Sequence, residues 1–289
     1  MVIKETKDGT IISELEDFLL SQTLECGQCF HFIKNNEEDY FVCAMGKLLH
    51  IAWKNDELVF YNADRDEVEN IWIKYFDLDR DYSAIKKRLL LMDDRLEPAI
   101  KSMWGVRILN QEFFETLISF IISQNQQIPR IKQIVANLSK ACGKDLGSGF
   151  YSFPDADAIL NLGEDGVREC KAGFRSAYII DACEKYKSGQ INEEILIKSE
   201  YDACLSTLKQ IKGVGDKVAN CVALFSLGQR SAFPVDVWIK RIMESIYFGE
   251  ETPVGKIQEF AAEQFGEYGG YAQQYLFYYA RENAIRKNN

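Results

Sequence analysis

Apolar and polar residues alternate in short runs through the first third of the chain. Residues 40–43, 48–53 and 58–61 follow this period of two, which is typical of strands with one buried face. Asn55-Asp56-Glu57, between two of these runs, predicts a hairpin turn. From Arg65 to the C-terminus the apolar residues recur at helical spacing instead.

This change of period predicts an α+β fold. We expect an N-terminal antiparallel β-sheet domain with flanking helices, residues 1–105, packed on a mainly α-helical domain, residues 106–289. No tandem repeat or low-complexity linker separates the two parts. A pocket between them would receive side chains from both ends of the sequence.

Composition limits the classes of protein to which the chain can belong. No run reaches the roughly 18 apolar residues of a membrane span, and the N-terminus lacks a signal-peptide profile. The eight cysteines are scattered through apolar contexts, which indicates reduced thiols and an intracellular protein. Cys26 and Cys29 have the spacing of a redox pair, but they lie in a strand-like stretch without a βαβ unit, so we favour ordinary buried thiols.

A glycine turn joins two apolar helices in the second half of the chain. The first helix, near residues 201–211, ends at Gly213-Val214-Gly215, and the second runs from Asp216 to about Leu227. Glycine permits the positive φ of a tight turn, and the free N–H groups of the second helix can bind a phosphate. Taken alone, the motif is as well explained by a turn without a ligand.

Lys217 and Asp236 add chemistry to this turn. Lys217 lies in the first turn of the second helix, where the dipole disfavours a cation, and nearly apolar residues follow it. Such surroundings favour the neutral amine, a nucleophile that forms Schiff bases. Asp236 follows Pro234-Val235 as the natural N-cap of an amphipathic helix, and its carboxylate can stabilise a nearby cation. Taken singly, Lys217 is explained as a solvated lysine and Asp236 as a helix cap. Together they suit nucleophilic displacement at an oxocarbenium-like sugar carbon.

The turn, Lys217 and Asp236 occur in the order and spacing of the helix–hairpin–helix DNA glycosylase superfamily, which the chain resembles. The resemblance implies a bifunctional enzyme, in which Lys217 and Asp236 are catalytic and the strand is nicked after the base is removed. The iron–sulfur branch of the superfamily carries four cysteines beyond this region. No cysteine follows Cys221, so we expect no such cluster and no required cofactor. A monovalent cation at the backbone carbonyls of Ile211 and Val214 is also implied.

Further segments resemble the 8-oxoguanine DNA glycosylases within that superfamily. The sequence CGQCF is similar to the family's GQ-x-F element, and the resemblance implies that the Gly27 carbonyl accepts the N7–H that undamaged guanine lacks. It also implies that Gln273 reads the Watson–Crick edge of the extruded base, while Phe277 and Cys221 cover its two faces. Without the family, Gly27 predicts a strand kink and the aromatic residues near Phe277 predict core.

The resemblance extends to the DNA-facing surface. Asn125 takes the position that fills the gap left by the flipped nucleotide, and Phe174 takes the wedge position. Arg130 and Arg175 match the residues that face the orphaned cytosine, whose N3 and O2 acceptors suit arginine donors. Gly213, Val214 and Gly215 would contact the DNA backbone. We therefore expect damaged double-stranded DNA as the partner and a monomeric, DNA-associated enzyme of base excision repair.

Three positions depart from the family pattern. Trp238 stands two residues after the catalytic Asp, where better-known members carry His. Ala280 stands three residues after the stacking Phe, where they carry an acid. Those two side chains interact in the family, so a phosphate contact near the lesion is missing or replaced here. Phe174 occupies a wedge position where Tyr is common. The departures bear on opposite-base preference and rate more than on the activity itself.

Two rival functions account for part of the sequence. A glycosylase for another lesion, such as an alkylated base or an oxidised pyrimidine, would keep Lys217 and Asp236 but would not need the Gly27 and Gln273 elements. A non-catalytic DNA-binding module would use the glycine turn alone. The combined motifs favour a bifunctional DNA glycosylase and abasic-site lyase that excises 8-oxoguanine.

The net charge of −10 is unusual for a protein that binds nucleic acid. Residues 1–100 carry 21 acidic against 12 basic residues, whereas residues 101–289 carry 23 against 22. The predicted DNA-binding half is therefore nearly neutral. Phosphate binding would depend on helix N-termini and on a few basic residues, namely Lys212, Arg230, Lys240 and Arg241.

Few phosphate contacts predict a shallow salt dependence of DNA affinity. We expect the logarithm of the association constant to fall with the logarithm of salt concentration with a slope less steep than about −6. Titration of a fluorescent duplex at several salt concentrations measures it. A slope of about −6 or steeper would contradict the small contact number.

Overall fold

The computed structural model describes the backbone of residues 1–287 and the side chains of residues 1–283. The predicted α+β fold is confirmed. The strands are β1 (Val2–Thr6), β2 (Gly9–Ser13), β3 (Phe32–Asn36), β4 (Asp39–Ala44), β5 (Lys47–Lys54), β6 (Glu57–Tyr61), β7 (Asp145–Gly147) and β8 (Phe150–Tyr151). The helices are α1 (Leu20–Glu25), α2 (Arg65–Glu67), α3 (Ile73–Tyr75), α4 (Tyr82–Met92), α5 (Glu97–Ser102), α6 (Phe113–Ile122), α7 (Ile128–Cys142), α8 (Ala156–Val167), α9 (Ser176–Lys187), α10 (Glu193–Lys198), α11 (Tyr201–Leu208), α12 (Asp216–Ser226), α13 (Val237–Met243), α14 (Val254–Phe265) and α15 (Gly269–Lys287).

Six strands form one antiparallel sheet in the order β1-β2-β6-β5-β4-β3. The alternation in the sequence gives strands with one buried face, as predicted. Ile12 pairs with Leu58 and Ile51 pairs with Phe60, and all four side chains are buried. The predicted hairpin turn is also present between β5 and β6. Its central residues, at positions 55 and 56, both have positive φ, as a two-residue type I′ turn requires.

Two apolar cores stabilise the chain. One lies under the sheet and includes Phe18, Phe60, Trp72 and Phe76. The other fills the helical body, where α6 and α12 pack together and are buried almost all round. Helices that are apolar on every side belong at the centre of a bundle. Helices α4 and α5 contribute to this second core, so the boundary near residue 105 stays a prediction. No helix in residues 1–287 combines the length and apolar character needed to cross a membrane.

A buried polar junction connects the two cores. The guanidinium of Arg107 donates to the backbone carbonyls of Glu16, Asp17, Asp77 and Arg80 at 2.6 to 3.1 Å. Its carbon lies 4.5 Å from the ring centroid of Tyr82. Burial lowers the pKa of Arg107 from its ordinary value. Three chain segments thus depend on one cation for their hydrogen bonds.

The carboxamide of Gln28 completes the junction. Its nitrogen donates to the carbonyls of Thr23 and Arg107, both at 2.8 Å, and its oxygen accepts from the backbone N–H of Leu109 at 2.9 Å. The side chain is fully buried. Gln28 therefore fixes the turn before β3 to the segment that leads into α6.

The expectation of a strand around Cys26 and Cys29 is wrong. These residues follow α1 in an irregular turn in which Gly27 has φ of +90°. This turn is held by hydrogen bonds of the Gln28 carboxamide, and not by the backbone hydrogen bonds that pair one strand with the next. All eight cysteines are free, and burial raises the pKa of the Cys26 thiol to about 11.

Arg107→Met should lower the free energy of unfolding by about 3 kcal/mol, because four backbone carbonyls lose a charged donor that is itself buried. Urea unfolding followed by circular dichroism measures the change. Arg88→Met, at an exposed position of α4, is the control and should change it by less than about 0.5 kcal/mol. Equal effects of the two substitutions would contradict this account of the junction.

Candidate active site

Lys217 lies where the sequence predicted, in the first turn of α12. Its Nζ donates to the hydroxyl of Ser123 at 3.2 Å and lies 5.1 Å from the ring centroid of Phe120. Both partners belong to the end of α6, which α12 packs against. The amine is therefore half-buried, with one weak polar contact and an aromatic face beside it.

Asp236 is the N-cap of α13, as predicted. Its carboxylate accepts a hydrogen bond from the backbone N–H of Ile239 at 2.9 Å. Burial raises the pKa of the Asp236 carboxyl, while the Ile239 bond and the charge of Lys217 act in the opposite direction. Within the described residues no ion pair shorter than 4.0 Å joins the two side chains. The carboxylate thus faces the amine without neutralising it by direct contact.

Both side chains line one cleft of about 1260 Å³ between the sheet half and the helical body. Gly27, Asn125 and Phe277 line the same cleft. Residues from positions 27 to 277 therefore meet at one place, which is what the sequence motifs required. The cleft offers an amine, a carboxylate and an aromatic face to an incoming molecule.

Gly27 approaches the C-terminal helix closely. A Cβ built on Gly27 would lie 3.2 Å from Phe277 Cε1 and 3.3 Å from Ile128 Cδ1. Its φ of +90° also disfavours any other residue. Glycine was predicted here because the backbone must come close to a neighbour in a pocket. In the structure that neighbour is Phe277.

Gln273 is buried on α15 and does not belong to the described residues that line the cleft. Its side chain is 4% exposed, and its nitrogen donates to the carbonyl of Pro234 at 3.3 Å. Its oxygen has no hydrogen-bond partner among the residues whose side chains are described. Buried amide oxygens are normally paired, so Gln273 presents an acceptor that a ligand can use.

Cys221 is likewise buried and outside the described cleft lining, one helical turn after Lys217 on α12. Burial raises the pKa of its thiol to about 11, with the Lys217 charge acting in the opposite direction. The thiol is therefore neutral at physiological pH, and it can contact a base face as a small apolar group.

The predicted DNA-facing residues form a surface that meets the cleft at Asn125. Asn125 is exposed at the tip of the turn between α6 and α7, with φ of +51°. Phe174 is 55% exposed and packs edge-on against Tyr178 at 5.8 Å. An exposed Phe at a turn has the accessibility that a wedge between bases would need.

Arg175 connects these two turns. Its Nε donates to the carbonyl of Gln124 at 2.9 Å, its Nη2 to the same carbonyl, and its Nη1 to that of Ala172 at 3.2 Å. Three of the five N–H donors of the guanidinium are thereby used. Among the side chains that the structure describes, the Arg130 guanidinium bonds to Gln133 alone, at 2.6 Å, so of the two predicted arginines it is the less constrained.

The glycine turn differs in one detail from the prediction. Gly213 has φ of +77°, and a Cβ there would meet the ring of Tyr178 at 2.2 Å. Gly215 instead has φ of −105° and caps α12. Only Gly213 needs the left-handed conformation, while Gly215 leaves the first N–H groups of α12 uncovered by a side chain.

Two of the predicted phosphate-binding residues are engaged elsewhere. Arg230 donates to the carbonyl of Leu224 at 2.6 Å and to Asn110. Lys240 pairs with Glu244 at 3.3 Å and Glu251 at 3.0 Å. Phosphate binding by Arg230 and Lys240 stays a prediction, because sequence cannot distinguish a basic residue that ties loops together from one that faces a ligand.

Three cleft residues were not assigned a role from the sequence. Ser123 bonds Lys217, Trp238 lines the cleft 5.8 Å from the Arg241 guanidinium, and Arg281 lies beside Gly27. Ser123 falls inside the amide-rich segment, and Arg281 is one helical turn after Phe277. The helical spacing from Phe277 was therefore the feature of the sequence that could have placed Arg281 in the cleft.

Two family models match the chain. The 8-oxoguanine DNA glycosylase N-terminal domain matches residues 10–117, and the HhH-GPD superfamily of base excision DNA repair proteins matches residues 118–267. The resemblance inferred from the motifs is thereby confirmed. The second match alone covers more than half of the chain.

Known proteins agree with these matches. The crystal structure of Clostridium acetobutylicum 8-oxoguanine glycosylase/lyase, in complex with double-stranded DNA containing cytosine opposite 8-oxoG, has a TM-score of 0.95 and 41% sequence identity, with 99% of each chain covered. The N-glycosylase/DNA lyase OGG1 of Arabidopsis thaliana is 34% identical over 64% of this chain and 54% of that protein. The N-glycosylase/DNA lyase of Saccharomyces cerevisiae is 28% identical over 83% and 71%.

Asp236→Asn should stabilise the protein at neutral pH, because Asn keeps the cap and removes a buried charge. Burial raises the pKa of the Asp236 carboxyl in the folded state above its ordinary value, so the stabilising contribution of the protonated form is lost as pH rises through that ionisation. The advantage of Asp236→Asn over the wild type should therefore grow between about pH 4 and pH 7, to less than about 2 kcal/mol.

Thermal unfolding at several pH values measures this difference. Asp155→Asn is the matched control, since Asp155 caps α8 through Ala158 at 2.8 Å but is exposed. It should show no comparable growth with pH. A pH-independent difference at Asp236 would contradict burial as the cause.

Proposed function

The chain belongs to the 8-oxoguanine DNA glycosylases of the helix–hairpin–helix base excision repair superfamily, and we propose that it excises 8-oxoguanine from duplex DNA through Lys217 and then nicks the strand. The observation that carries this proposal is the meeting of Lys217, Asp236, Gly27 and Phe277 in one cleft. The first two supply the chemistry. The other two supply contacts to an extruded base.

Lys217 is the proposed nucleophile. Its neutral amine attacks C1′ of the damaged nucleotide as the glycosidic bond breaks, and the base leaves with the bonding electron pair and a proton. Asp236 stabilises the positive charge that develops on the sugar. Both side chains are partly buried, and charges interact more strongly there than in bulk water.

Strand cleavage follows from the same covalent bond. The ring oxygen then leaves C1′ and takes up a proton, which opens the sugar and gives a Schiff base between Lys217 and C1′. Removal of a C2′ proton then expels the 3′ phosphate by β-elimination, and hydrolysis of the imine regenerates the amine. No external oxidant or reductant enters these steps.

Base recognition uses opposite ends of the chain. The Gly27 carbonyl accepts the N7–H of the lesion, and the unpaired oxygen of Gln273 accepts from its Watson–Crick edge. Phe277 and Cys221 cover the two faces. Flipped bases are commonly held in this way, by stacking and edge hydrogen bonds.

The DNA surface has its own proposed roles. Asn125 fills the gap that the flipped nucleotide leaves in the base stack, and Phe174 acts as a wedge in that stack. Both are exposed, as these roles require. Arg130 and the remaining donors of Arg175 face the orphaned cytosine. Gly213, Val214 and Gly215 present the uncapped N-terminus of α12 to a phosphate. We expect the enzyme to act as a monomer on DNA inside the cell.

A monovalent cation fits the hairpin chemically. The Ile211 carbonyl accepts one hydrogen bond, from the Val214 N–H at 3.0 Å, and so keeps a second lone pair for an ion. When bound by the Ile211 and Val214 carbonyls, a cation would offset the charge of a DNA phosphate. The chemistry at Lys217 does not depend on it.

Lys217→Gln should abolish both base release and strand cleavage, because Gln has no nucleophilic amine. The assay uses an end-labelled duplex with one 8-oxoguanine opposite each of the four bases, with and without borohydride. Wild-type protein should yield a trapped covalent complex, with cytosine the preferred opposite base. Lys87→Gln, an exposed change on α4, should leave all readouts unchanged.

The same design separates the rival functions. Wild-type release of an alkylated base or an oxidised pyrimidine, with no release of 8-oxoguanine, would reassign the lesion. DNA binding without release of any base would indicate a non-catalytic module. A trapped complex that persists in Lys217→Gln would overturn the assignment of the nucleophile.

A further inference from the structure

Among the described cleft cations to which the mechanism above gives no role, Lys34 pairs with Glu25 and Lys132 lies over the ring of Phe32. The remaining one is Arg281. Arg281 lies on α15 four residues after Phe277, so both side chains project from the same face of the helix. Both line the cleft, and the Arg281 side chain is 12% exposed. A cation buried this far needs partners that replace its hydration.

The protein fixes one half of the guanidinium. Nη2 donates to the backbone carbonyl of Glu25 at 2.6 Å and to the Glu282 carboxylate at 3.2 Å. The central carbon lies 4.8 Å from the ring centroid of Tyr278 and 5.9 Å from that of Phe277. These contacts hold the planar group against the end of α1.

The other half has no partner. Nη1 of Arg281 is shielded from water and makes no hydrogen bond to any residue whose side chain the structure describes. It lies against Gly27, where an added Cβ would be 3.2 Å away. Buried donors are nearly always paired. An unpaired cationic donor beside a ligand cleft therefore points to an acceptor on the ligand.

An oxidised purine carries such acceptors in the right place. If its N7–H bonds the Gly27 carbonyl, the oxygens at C6 and C8 lie on either side of that bond. Arginine donors pair well with purine carbonyl oxygens. A base bound in the cleft that Gly27 and Arg281 both line would bring one of these oxygens toward Nη1.

We propose that Arg281 is a specificity-determining residue that donates from Nη1 to a carbonyl oxygen on the Hoogsteen edge of the extruded purine. The inference rests on the proposed function, since it requires a base in this cleft. Glu25 does not compete for Nη1, because its carboxylate is bonded to Lys34 and Tyr40. The Glu282 carboxylate is bonded to the other nitrogen, Nη2.

The test compares wild type with Arg281→Met in two single-turnover reactions. Base release from an 8-oxoguanine duplex should fall about tenfold to a hundredfold, the range for loss of one hydrogen bond from a charged donor. Strand cleavage at a preformed abasic site should stay within about twofold, because that site offers no base carbonyl. Arg65→Met removes the same charge from α2, outside the cleft, and should change neither reaction.

Three outcomes would overturn the proposal. Unchanged base release in Arg281→Met would show that no such bond forms. An equal loss at the abasic site would assign Arg281 to a phosphate or to holding α1. Full recovery of release in Arg281→Lys, which keeps the Glu25 bond but lacks the second nitrogen, would assign a structural role. Absence of 8-oxoguanine release by wild type would instead contradict the proposed function itself.

The acceptor oxygen can be identified by binding. In a Lys217→Gln background, affinity is measured for duplexes containing 8-oxoguanine or 8-oxoadenine, which has an amino group at C6. Weaker binding of 8-oxoguanine alone after Arg281→Met would support the C6 oxygen. Weaker binding of both would support the C8 oxygen, and unchanged binding of both would contradict the proposal.

Discussion

The pocket of this protein depends on one buried carboxamide. Gln28 bonds to Thr23, Arg107 and Leu109 through both of its polar ends, and it directly follows Gly27, which lines the cleft. Because these bonds are buried and fully satisfied, the turn has one position relative to the helical body. The guanidinium of Arg107 fixes the same region from the other side. The sheet half thus serves to present one backbone carbonyl to side chains that come from α12, α13 and α15.

In the described part of the chain, the amine and the carboxylate at the reaction centre do not form a direct ion pair. Lys217 contacts a hydroxyl and an aromatic ring, and Asp236 is held by a helix N-terminus. A direct ion pair would stabilise both groups but would make the amine a poor nucleophile. The cap holds the carboxylate in place while leaving its charge free for the sugar. A buried group of this kind lowers stability in exchange for function, as is common at active sites.

The DNA-facing surface is organised through aromatic and arginine contacts. Tyr178 packs against both Phe174 and Gly213, and Arg175 bonds the carbonyl of Gln124 beside Asn125. The wedge, the gap-filling turn and the glycine turn are therefore parts of one connected surface. With Arg230 and Lys240 engaged by other residues, this surface has little free positive charge. Backbone N–H groups and shape must then carry much of the contact with DNA.

The sequence by itself determined the class of fold, the helical and strand periods, and the family. It did so because a period of two or 3.6 and a turn such as GVG followed by Lys217 are local properties. Asp236 as a cap was equally local, since its neighbours along the chain satisfy it. The irregular turn at Gly27, the engagement of Arg230 and the unpaired nitrogen of Arg281 were decided only in the tertiary structure. Each depends on partners distant in sequence, such as Leu109 for the Gln28 carboxamide or Glu25 for Arg281, and a polar side chain does not encode which distant group will satisfy it.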